Sequence, residues 1–213
     1  ALAYLRPGIT LCNARGVHDA STAELAVGLA ISSRRGFPEF MREQMAGNWS
    51  HHRTAALSDS KIGIVGFGSI GKKIAQNLSG FEVSITAFTQ SGRDGSLTID
   101  QLDSHLPQLD IVILILPLSD SSRHLFNAER LSKMKDGALL INVARGPVVD
   151  TDALVKELNS GRIFAALDVT DPEPLPLDHP LWSAKNVQIV PHIGGNSEAF
   201  EPRGRALIES QLK

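Results

Sequence analysis

The chain has 213 residues, of which 42% are hydrophobic and 21% are charged, and its 21 Lys and Arg against 23 Asp and Glu give a formal net charge of -2. This composition is typical of a soluble globular protein of one domain and excludes a mainly disordered chain. The near-neutral charge argues against a nucleic-acid partner, which needs a basic face. The longest purely apolar run, residues 111–116, is far shorter than the roughly 20 residues of a membrane span, so no membrane association is expected.

The start of the chain and its cysteine content favour a cytoplasmic protein. Arg6, Pro7 and Gly8 interrupt what would have to be the continuous apolar region of a secretory leader. Cys12 is the only cysteine, so an internal disulfide cannot form, which favours a reducing compartment. We expect Cys12 to be a small buried apolar side chain.

Short apolar runs alternate with longer amphipathic stretches, a pattern typical of βα units around a parallel sheet. The pattern predicts strands at residues 9–13, 62–66, 82–88, 111–116, 138–143, 164–169 and 187–190. It predicts helices at residues 21–46, 69–79, 99–106, 128–134, 151–159 and 203–213. Because most of the runs are uniformly apolar, as strands covered on both faces are, the predicted fold is a Rossmann-type doubly wound parallel sheet with helices on both faces.

The first predicted helix leaves two interpretations open. Its length of about 25 residues is twice that of a typical globular helix, and one interpretation is that part of it projects to another subunit, as in a homodimer. The alternative is a helix with a kink at Pro38. Further along, the proline-rich stretch at residues 168–182 is predicted to be a surface loop, and long loops in compact domains are usually functional.

A glycine-rich turn at residues 66–71 stands between an apolar strand and a helix. Gly66 permits the tight turn, Gly68 lets a pyrophosphate approach the backbone, and Gly71 lets helix and strand pack closely. The helix start at Ser69 and Ile70 supplies N–H donors and the positive end of the helix dipole. In this context the turn favours dinucleotide binding over a purely structural role.

The residues after the strand predicted at 82–88 discriminate between cofactors. NAD-binding folds usually carry Asp or Glu about 20 residues after the glycine turn, whereas this chain has Thr89 and no carboxylate before Asp94. Thr89, Ser91 and Arg93 could accept a 2′-phosphate instead, so NADP is favoured and NAD is the alternative. The competing interpretation is that Arg93 merely solvates a turn.

Titratable residues follow three later strands. Arg145 carries a planar guanidinium that suits a carboxylate or carbonyl, and its alternative role is an ion pair with Asp150 or another surface carboxylate. Glu173 and His192 follow the next two strands, and a glutamate beside a histidine favours the charged imidazolium, a competent proton donor. Because ligands of open α/β sheets bind at the carboxyl edge, we expect Arg145, Glu173 and His192 to gather in one site.

Together these motifs resemble the nucleotide-binding domain of the D-isomer-specific 2-hydroxyacid dehydrogenase family, over nearly the whole chain. The matching segments are residues 21–24, 66–71, 116–118, 142–146, 168–169, 173–174 and 191–195. The resemblance implies that Arg145 binds the carbonyl and carboxylate of a 2-oxo acid, that His192 is the general acid/base, and that Glu173 orients and charges it. It also implies cofactor contacts from Leu116, Pro117, Val143, Ala144, Asp168, His192 and Gly194, with Asp168 near the nicotinamide carboxamide.

The implied reaction is hydride transfer between a nicotinamide cofactor and a small 2-oxo or 2-hydroxy acid such as glyoxylate or hydroxypyruvate. The rival class is a non-enzymatic, dinucleotide-sensing scaffold or corepressor of the same fold. Members of this family also have a substrate-binding lobe. We therefore expect residues 1–213 to be an approximately complete dinucleotide-binding domain, a fragment that lacks that lobe.

The remaining histidines are expected to be structural. His51 and His52 are adjacent, so their side chains diverge and no metal site is predicted. His18 is expected to support the cap of the following helix, and His124 to mark a helix start. His179, with Trp182, is expected to pack a loop turn.

Overall fold

The computed structural model describes residues 6, 8, 9 and 11–212. Its strands form one parallel sheet in the order β3-β2-β1-β4-β5-β6-β7. Their bounds are β1 Lys61–Val65, β2 Ser84–Thr89, β3 Leu97–Thr98, β4 Ile111–Leu114, β5 Leu139–Asn142, β6 Phe164–Leu167 and β7 Val187–Ile189. The order reverses between β1 and β4, as in doubly wound dinucleotide-binding sheets, and the predicted fold class is confirmed.

Helices cover both faces of the sheet. Their bounds are α1 Asp19–Arg34, α2 Phe37–Met45, α3 Ser69–Leu78, α4 Leu102–His105, α5 Ala128–Ser132, α6 Thr151–Asn159 and α7 Phe200–Gln211. One face of the sheet packs against α1 and α3, and the other against α4, α5 and α6. In the described part of the chain, no helix combines the length and the apolar character needed to cross a bilayer.

Two hydrophobic cores lie on the two faces because side chains alternate along each buried strand. Ile62 and Ile64 of β1 join the core under α1 and α3, whereas Val65 joins the core on the opposite face. The same alternation separates Ile113 of β4 from Leu114. Both faces are therefore dry, which explains why β4 and β6 are apolar at every position and why β1 and β5 are largely so, rather than at every second position.

The strand predicted at residues 9–13 is wrong for the residues that the structure describes there. Residues 9 and 11–13 have irregular backbone, and residue 10 lies outside the described residues. Ile9 and Leu11 are 54% and 63% exposed. Cys12 is exposed as well, so the expectation of a buried thiol is also wrong. An apolar run forms a strand only where the edge of a sheet can pair with it, and no described strand pairs with this segment.

The long helix predicted at residues 21–46 is broken rather than kinked at Pro38. α1 ends at Arg34, and Gly36 takes the left-handed conformation with φ of 68° before α2 begins at Phe37. Glycine is the residue that adopts this φ without strain. Pro38 then lies in the first turn of α2, where its missing N–H removes no hydrogen bond.

The other predicted elements are present with small changes at their ends. α6 spans Thr151–Asn159 as predicted, and Gly161 beyond it has φ of 77°. The helix predicted at residues 99–106 is divided into two 3₁₀ turns around the short α4. The predicted last helix begins earlier, at Phe200, and Lys213 lies outside the described residues. Strand β3 was not predicted because two residues carry no periodic signal.

Candidate active site

The glycine turn joins β1 to α3 at the point where the strand order reverses. Gly66 has φ of 102°, and a side chain at Gly71 would meet the carbonyl oxygen of Gly66 at 2.2 Å. Gly68 is the N-cap of α3, and a Cβ there would meet no atom within 4 Å. The first N–H groups of a helix have no partner within it. The turn is thus closed against the sheet but open toward solvent, a cradle that fits the pyrophosphate of a dinucleotide.

The loop after β2 uses its own hydroxyl groups to hold its shape. Thr89 Oγ1 accepts a hydrogen bond from Gly92 N at 3.0 Å and lies 2.8 Å from Ser96 Oγ. Ser96 Oγ donates its one proton to the carbonyl of Arg93 at 2.6 Å, so the proton between the two hydroxyls belongs to Thr89. Thr89 therefore shapes the loop and has no proton left to donate to a ligand, whereas Ser91 and Arg93 are exposed.

The nearest acid to this loop is neutralised by a lysine from the helix. Lys72 Nζ of α3 lies 2.9 Å from Asp94 Oδ2, and both side chains are about half exposed. The hydrogen bond from Lys72 and its charge lower the pKa of the Asp94 carboxyl below its usual value. Asp94 thus remains ionised, but its charge is matched, so it presents little net repulsion to an anion bound nearby.

A cleft of about 430 Å³ lies next to the glycine turn at the carboxyl edge of the sheet, where sheets of this type bind ligands. Three of the sequence-predicted polar residues line it together, namely Arg145, Asp168 and His192. The predicted apolar contacts Ile70, Val143 and Gly194 also line it. The remaining lining residues are His18, Thr22, Ile115, Gly195, Asn196 and Phe200.

Arg145 is placed by a buried amide and a close backbone contact. Asn142, at the end of β5, accepts a hydrogen bond from Ala144 N and donates one to the Arg145 carbonyl, each at 3.1 Å. Gly146 lies against the backbone of Thr170, so the turn that follows Arg145 packs tightly on the segment after β6. Arg145 itself is exposed, and its Nη1 donates to the Ala144 carbonyl at 2.6 Å.

The alternative role considered for Arg145, an ion pair with Asp150, is absent from the described ranges of the chain. Asp150 instead caps α6, where its Oδ1 accepts from Ala153 N at 3.0 Å. The guanidinium is therefore available to an anion in the cleft.

His192 and Glu173 form the pair that the sequence predicts. His192 Nδ1 lies 2.5 Å from Glu173 Oε1, a short hydrogen bond, and the two side chains are 45% and 39% exposed. Because Glu173 holds Nδ1, the ring presents Nε2 to the cleft as the atom that can give or take a proton. Residues from two loops, after β6 and after β7, thus meet in one acid/base unit.

Three other histidines were expected to be structural, and the roles predicted for two of them need correction. His18 is the N-cap residue of α1, but its side chain makes no capping hydrogen bond; its Nδ1 instead lies 3.1 Å from the Gly195 carbonyl. His124 lies in a turn with φ of 49°, and α5 begins four residues later behind Asn127, which caps it. The role predicted for His179 is confirmed, since its Nδ1 accepts from Leu181 N at 3.2 Å in a tight turn.

The cofactor contacts expected from Leu116, Pro117 and Ala144 stay a prediction, and the structure shows where these residues lie. Ile115, which was not predicted, lines the cleft, whereas the side chain of Leu116 packs partly against the core on the opposite face. Pro117 is exposed and Ala144 is buried. Side chains alternate along an extended chain, so the neighbour of a residue that lines a site usually points away from it.

No group of three or more His, Cys, Asp and Glu side chains that could hold a metal ion occurs in residues 6, 8, 9 and 11–212. The cleft brings together the Arg145 guanidinium and the His192 imidazole, which is paired with the Glu173 carboxylate, beside an open helix N-terminus.

Comparison with known proteins agrees with this arrangement. A family model described as "D-isomer specific 2-hydroxyacid dehydrogenase, NAD binding domain" matches residues 27–194. A glyoxylate reductase from Thermofilum pendens is 41% identical over 211 residues, which cover 93% of this chain and 62% of that protein.

Solved structures give the same result. An NADPH-dependent glyoxylate/hydroxypyruvate reductase from Sinorhizobium meliloti, in complex with NADP and malonate, is 31% identical with a TM-score of 0.85, and the match covers 96% of this chain and 66% of that one. An NAD-dependent formate dehydrogenase from Staphylococcus aureus, in complex with NAD, is 30% identical with a TM-score of 0.82. The match covers 92% of this chain and 62% of that one. The chain thus spans 62% to 66% of the lengths of these three proteins.

Proposed function

The chain belongs to the D-isomer specific 2-hydroxyacid dehydrogenase family, as its NAD-binding domain, and we propose that the protein interconverts a small 2-oxo acid and the matching 2-hydroxy acid. One observation carries this proposal: Arg145 and His192 line one cleft next to the open glycine turn, and Glu173 is in hydrogen-bond contact with His192. We further propose residues 1–213 as the dinucleotide-binding domain of that enzyme. Glyoxylate and hydroxypyruvate are the proposed substrates, in line with the names of two of the proteins above.

The side chains of the cleft have complementary tasks in the proposed reaction. A bound nicotinamide supplies the hydride that reduces the 2-oxo carbon. Arg145 donates parallel hydrogen bonds to the carboxylate and carbonyl oxygens of the substrate and stabilises the negative charge that grows on the carbonyl oxygen. His192 gives the proton on Nε2 to that oxygen, and in the reverse direction it takes the proton back. Glu173 holds Nδ1 and balances the charge of the imidazolium.

The direct test is a turnover assay with the full-length protein. NADPH is mixed with a panel of 2-oxo acids that includes glyoxylate, hydroxypyruvate and pyruvate, and the absorbance of the reduced nicotinamide is followed. We expect oxidation of NADPH with at least one small 2-oxo acid. Tight NADPH binding without oxidation by any acid would contradict the enzyme and favour a dinucleotide-sensing scaffold.

We propose NADP as the preferred cofactor. In support, β2 ends at Thr89 where an acid would bind the ribose hydroxyls of NAD, Arg93 is exposed on the adjoining loop, and the charge of Asp94 is matched by Lys72. The S. meliloti reductase is in complex with NADP, and the S. aureus formate dehydrogenase is in complex with NAD. Proteins similar to this chain therefore bind either cofactor, and we propose that the loop after β2 determines the preference.

Arg93→Ala is expected to weaken NADPH binding about 10- to 100-fold, because a charged hydrogen bond to phosphate contributes about 1.5–3 kcal/mol. Binding of NADH is expected to change by less than about two-fold, since NADH has no 2′-phosphate. Nicotinamide fluorescence titration measures both dissociation constants. Lys73→Ala is the control, because Lys73 lies on α3 and its Nζ bonds to Gln76 instead of approaching this loop. Equal losses for the two cofactors would refute phosphate recognition by Arg93.

We also propose a cytoplasmic homodimer. Phe37, Met41 and Met45 share one face of α2 at four-residue spacing, and they are 49%, 64% and 88% exposed, while Trp49 beyond them is 96% exposed. Exposed apolar patches of this kind mark protein interfaces. A monomeric sedimentation coefficient at micromolar concentration would contradict the dimer.

The cytoplasmic location is proposed because the sequence has a single cysteine, which favours a reducing compartment. Cell fractionation checks this location.

A further inference from the structure

The backbone at His192 has a conformation that needs support. His192 has φ of 53°, in the left-handed region that residues with a Cβ seldom occupy. Such conformations persist when the surrounding structure fixes them, and they concentrate at functional sites. The question is which contacts fix the loop from His192 to Gly195.

One set of contacts comes from the end of β6. The carboxylate of Asp168, which is 3% exposed, accepts hydrogen bonds from Ile193 N at 2.7 Å and Gly194 N at 3.0 Å. The carbonyl oxygen of Asp168 accepts from His192 N at 2.8 Å. Asp168 thus binds three consecutive N–H groups, but it leaves the carbonyl groups of the loop unbound.

The carbonyl groups are bound by the start of α1, from the other side of the loop. Thr22 Oγ1 donates to the Gly194 carbonyl at 3.1 Å, and Thr22 is 7% exposed. His18 Nδ1 lies 3.1 Å from the Gly195 carbonyl, and since a carbonyl only accepts, His18 donates. The two donors are four residues apart and so share one face of the helix start. The His18 ring also stacks on Phe200, with centroids 5.0 Å apart.

We infer that Thr22 and His18 are positioning residues that hold the His192 loop in its productive conformation. This inference rests on the proposed role of His192. Asp168 fixes the N–H groups and α1 fixes the carbonyls, so the loop is held from both sides and the imidazole stays aligned with Glu173. Of the two donors and two carbonyl acceptors in this second set of contacts, Thr22, His18 and Gly195 lie outside residues 27–194, the segment matched by the family model, and Gly194 is its last residue.

The test compares four variants of the full-length protein, one of them a control, with the wild type. Thr22→Val removes the buried hydroxyl and keeps the shape of the side chain, and Thr22→Ser keeps the hydroxyl. Ser21→Ala is the matched control, since Ser21 Oγ donates within the helix start, to the His18 carbonyl, and does not contact the loop. His18→Phe is a second variant that keeps a ring on Phe200 but removes the donor.

Three readouts are measured on each protein. Steady-state kinetics with a 2-oxo acid give kcat, and fluorescence titration gives the NADPH dissociation constant. Hydrogen exchange of the peptide that covers residues 190–197, followed by mass spectrometry without cofactor, reports on the Ile193 and Gly194 amides directly. The exchange experiment does not depend on catalysis.

We expect Thr22→Val to lower kcat about 10- to 100-fold, because small displacements of a catalytic group have effects of this size. The amides of the loop should exchange at least about 10-fold faster, and the NADPH dissociation constant should stay within about two-fold. Thr22→Ser should restore all values, and His18→Phe should resemble Thr22→Val in direction.

Wild-type kcat and exchange in both Thr22→Val and His18→Phe would overturn the inference. A loss of kcat that Thr22→Ser does not restore would also overturn it, because that result indicates a general packing effect. If the wild type itself turns over no 2-oxo acid, the proposed function fails, and the exchange of the loop alone then decides whether α1 holds it.

Discussion

His192→Gln is expected to lower kcat about 10²- to 10⁴-fold, the contribution typical of a positioned general acid. Glutamine is close to histidine in size and can still bond to Glu173, but it cannot release a proton to the oxygen of a 2-oxo acid. The dissociation constant for NADPH should change by less than about two-fold, because the glycine turn and the loop after β2 are the places proposed for the phosphates and the adenosine, away from the imidazole.

The measurement is the initial rate of NADPH oxidation with the best 2-oxo acid, over a range of pH, beside a fluorescence titration of NADPH. His51→Gln serves as the control because His51 is exposed and lines no part of the cleft. A His192→Gln enzyme that keeps more than about a tenth of the wild-type kcat would exclude His192 as the proton donor.

Gly146→Ala is expected to lower the free energy of unfolding by about 3 kcal/mol, at the upper end of the range for overpacked sites. A Cβ at this position would lie 1.9 Å from the carbonyl oxygen of Thr170 and 2.2 Å from its carbon. Both atoms are backbone, so no side chain can rotate away. The segments after β5 and β6 would have to separate, and these segments carry Arg145 and Asp168.

Thermal unfolding measures the change, and a fall in Tm of about 10 °C corresponds to this loss for a domain of this size. Gly68→Ala is the matched control, since a Cβ there meets no atom within 4 Å and the residue has an ordinary φ of −75°. Its Tm should equal that of the wild type. Equal Tm values for Gly146→Ala and the wild type would show that the two segments are not in close contact.

The fold was predictable because most of its signals are local. The central strands β1, β4, β5 and β6 come from largely apolar runs, and the glycine turn lies between a strand and an amphipathic helix. The approach of Arg145 to His192 was predictable for a topological reason: carboxyl ends of parallel strands lie at one edge, so residues far apart in sequence meet there.

The features that were not predicted depend on contacts between distant segments. His18 has the position of a capping residue, and only the fold shows that its ring reaches Gly195, 177 residues away. The sequence suggests Thr89 as a phosphate ligand, but in the structure the Thr89 hydroxyl donates its hydrogen bond to Ser96. The residues near Leu11 read as a strand because the sequence does not show whether a sheet edge is available to them.

The half-exposed position of the His192–Glu173 pair has a consequence for rate. A guanidinium about 4 Å from an alkoxide gains about 1 kcal/mol in a medium as polar as bulk water and about 4 kcal/mol where the effective dielectric constant falls to about 20. The charged groups of the cleft therefore stabilise an alkoxide only weakly while water surrounds them. In the proposed reaction this stabilisation grows when water leaves the cleft. Any surface that covers the cleft would then contribute to turnover without supplying a reactive group.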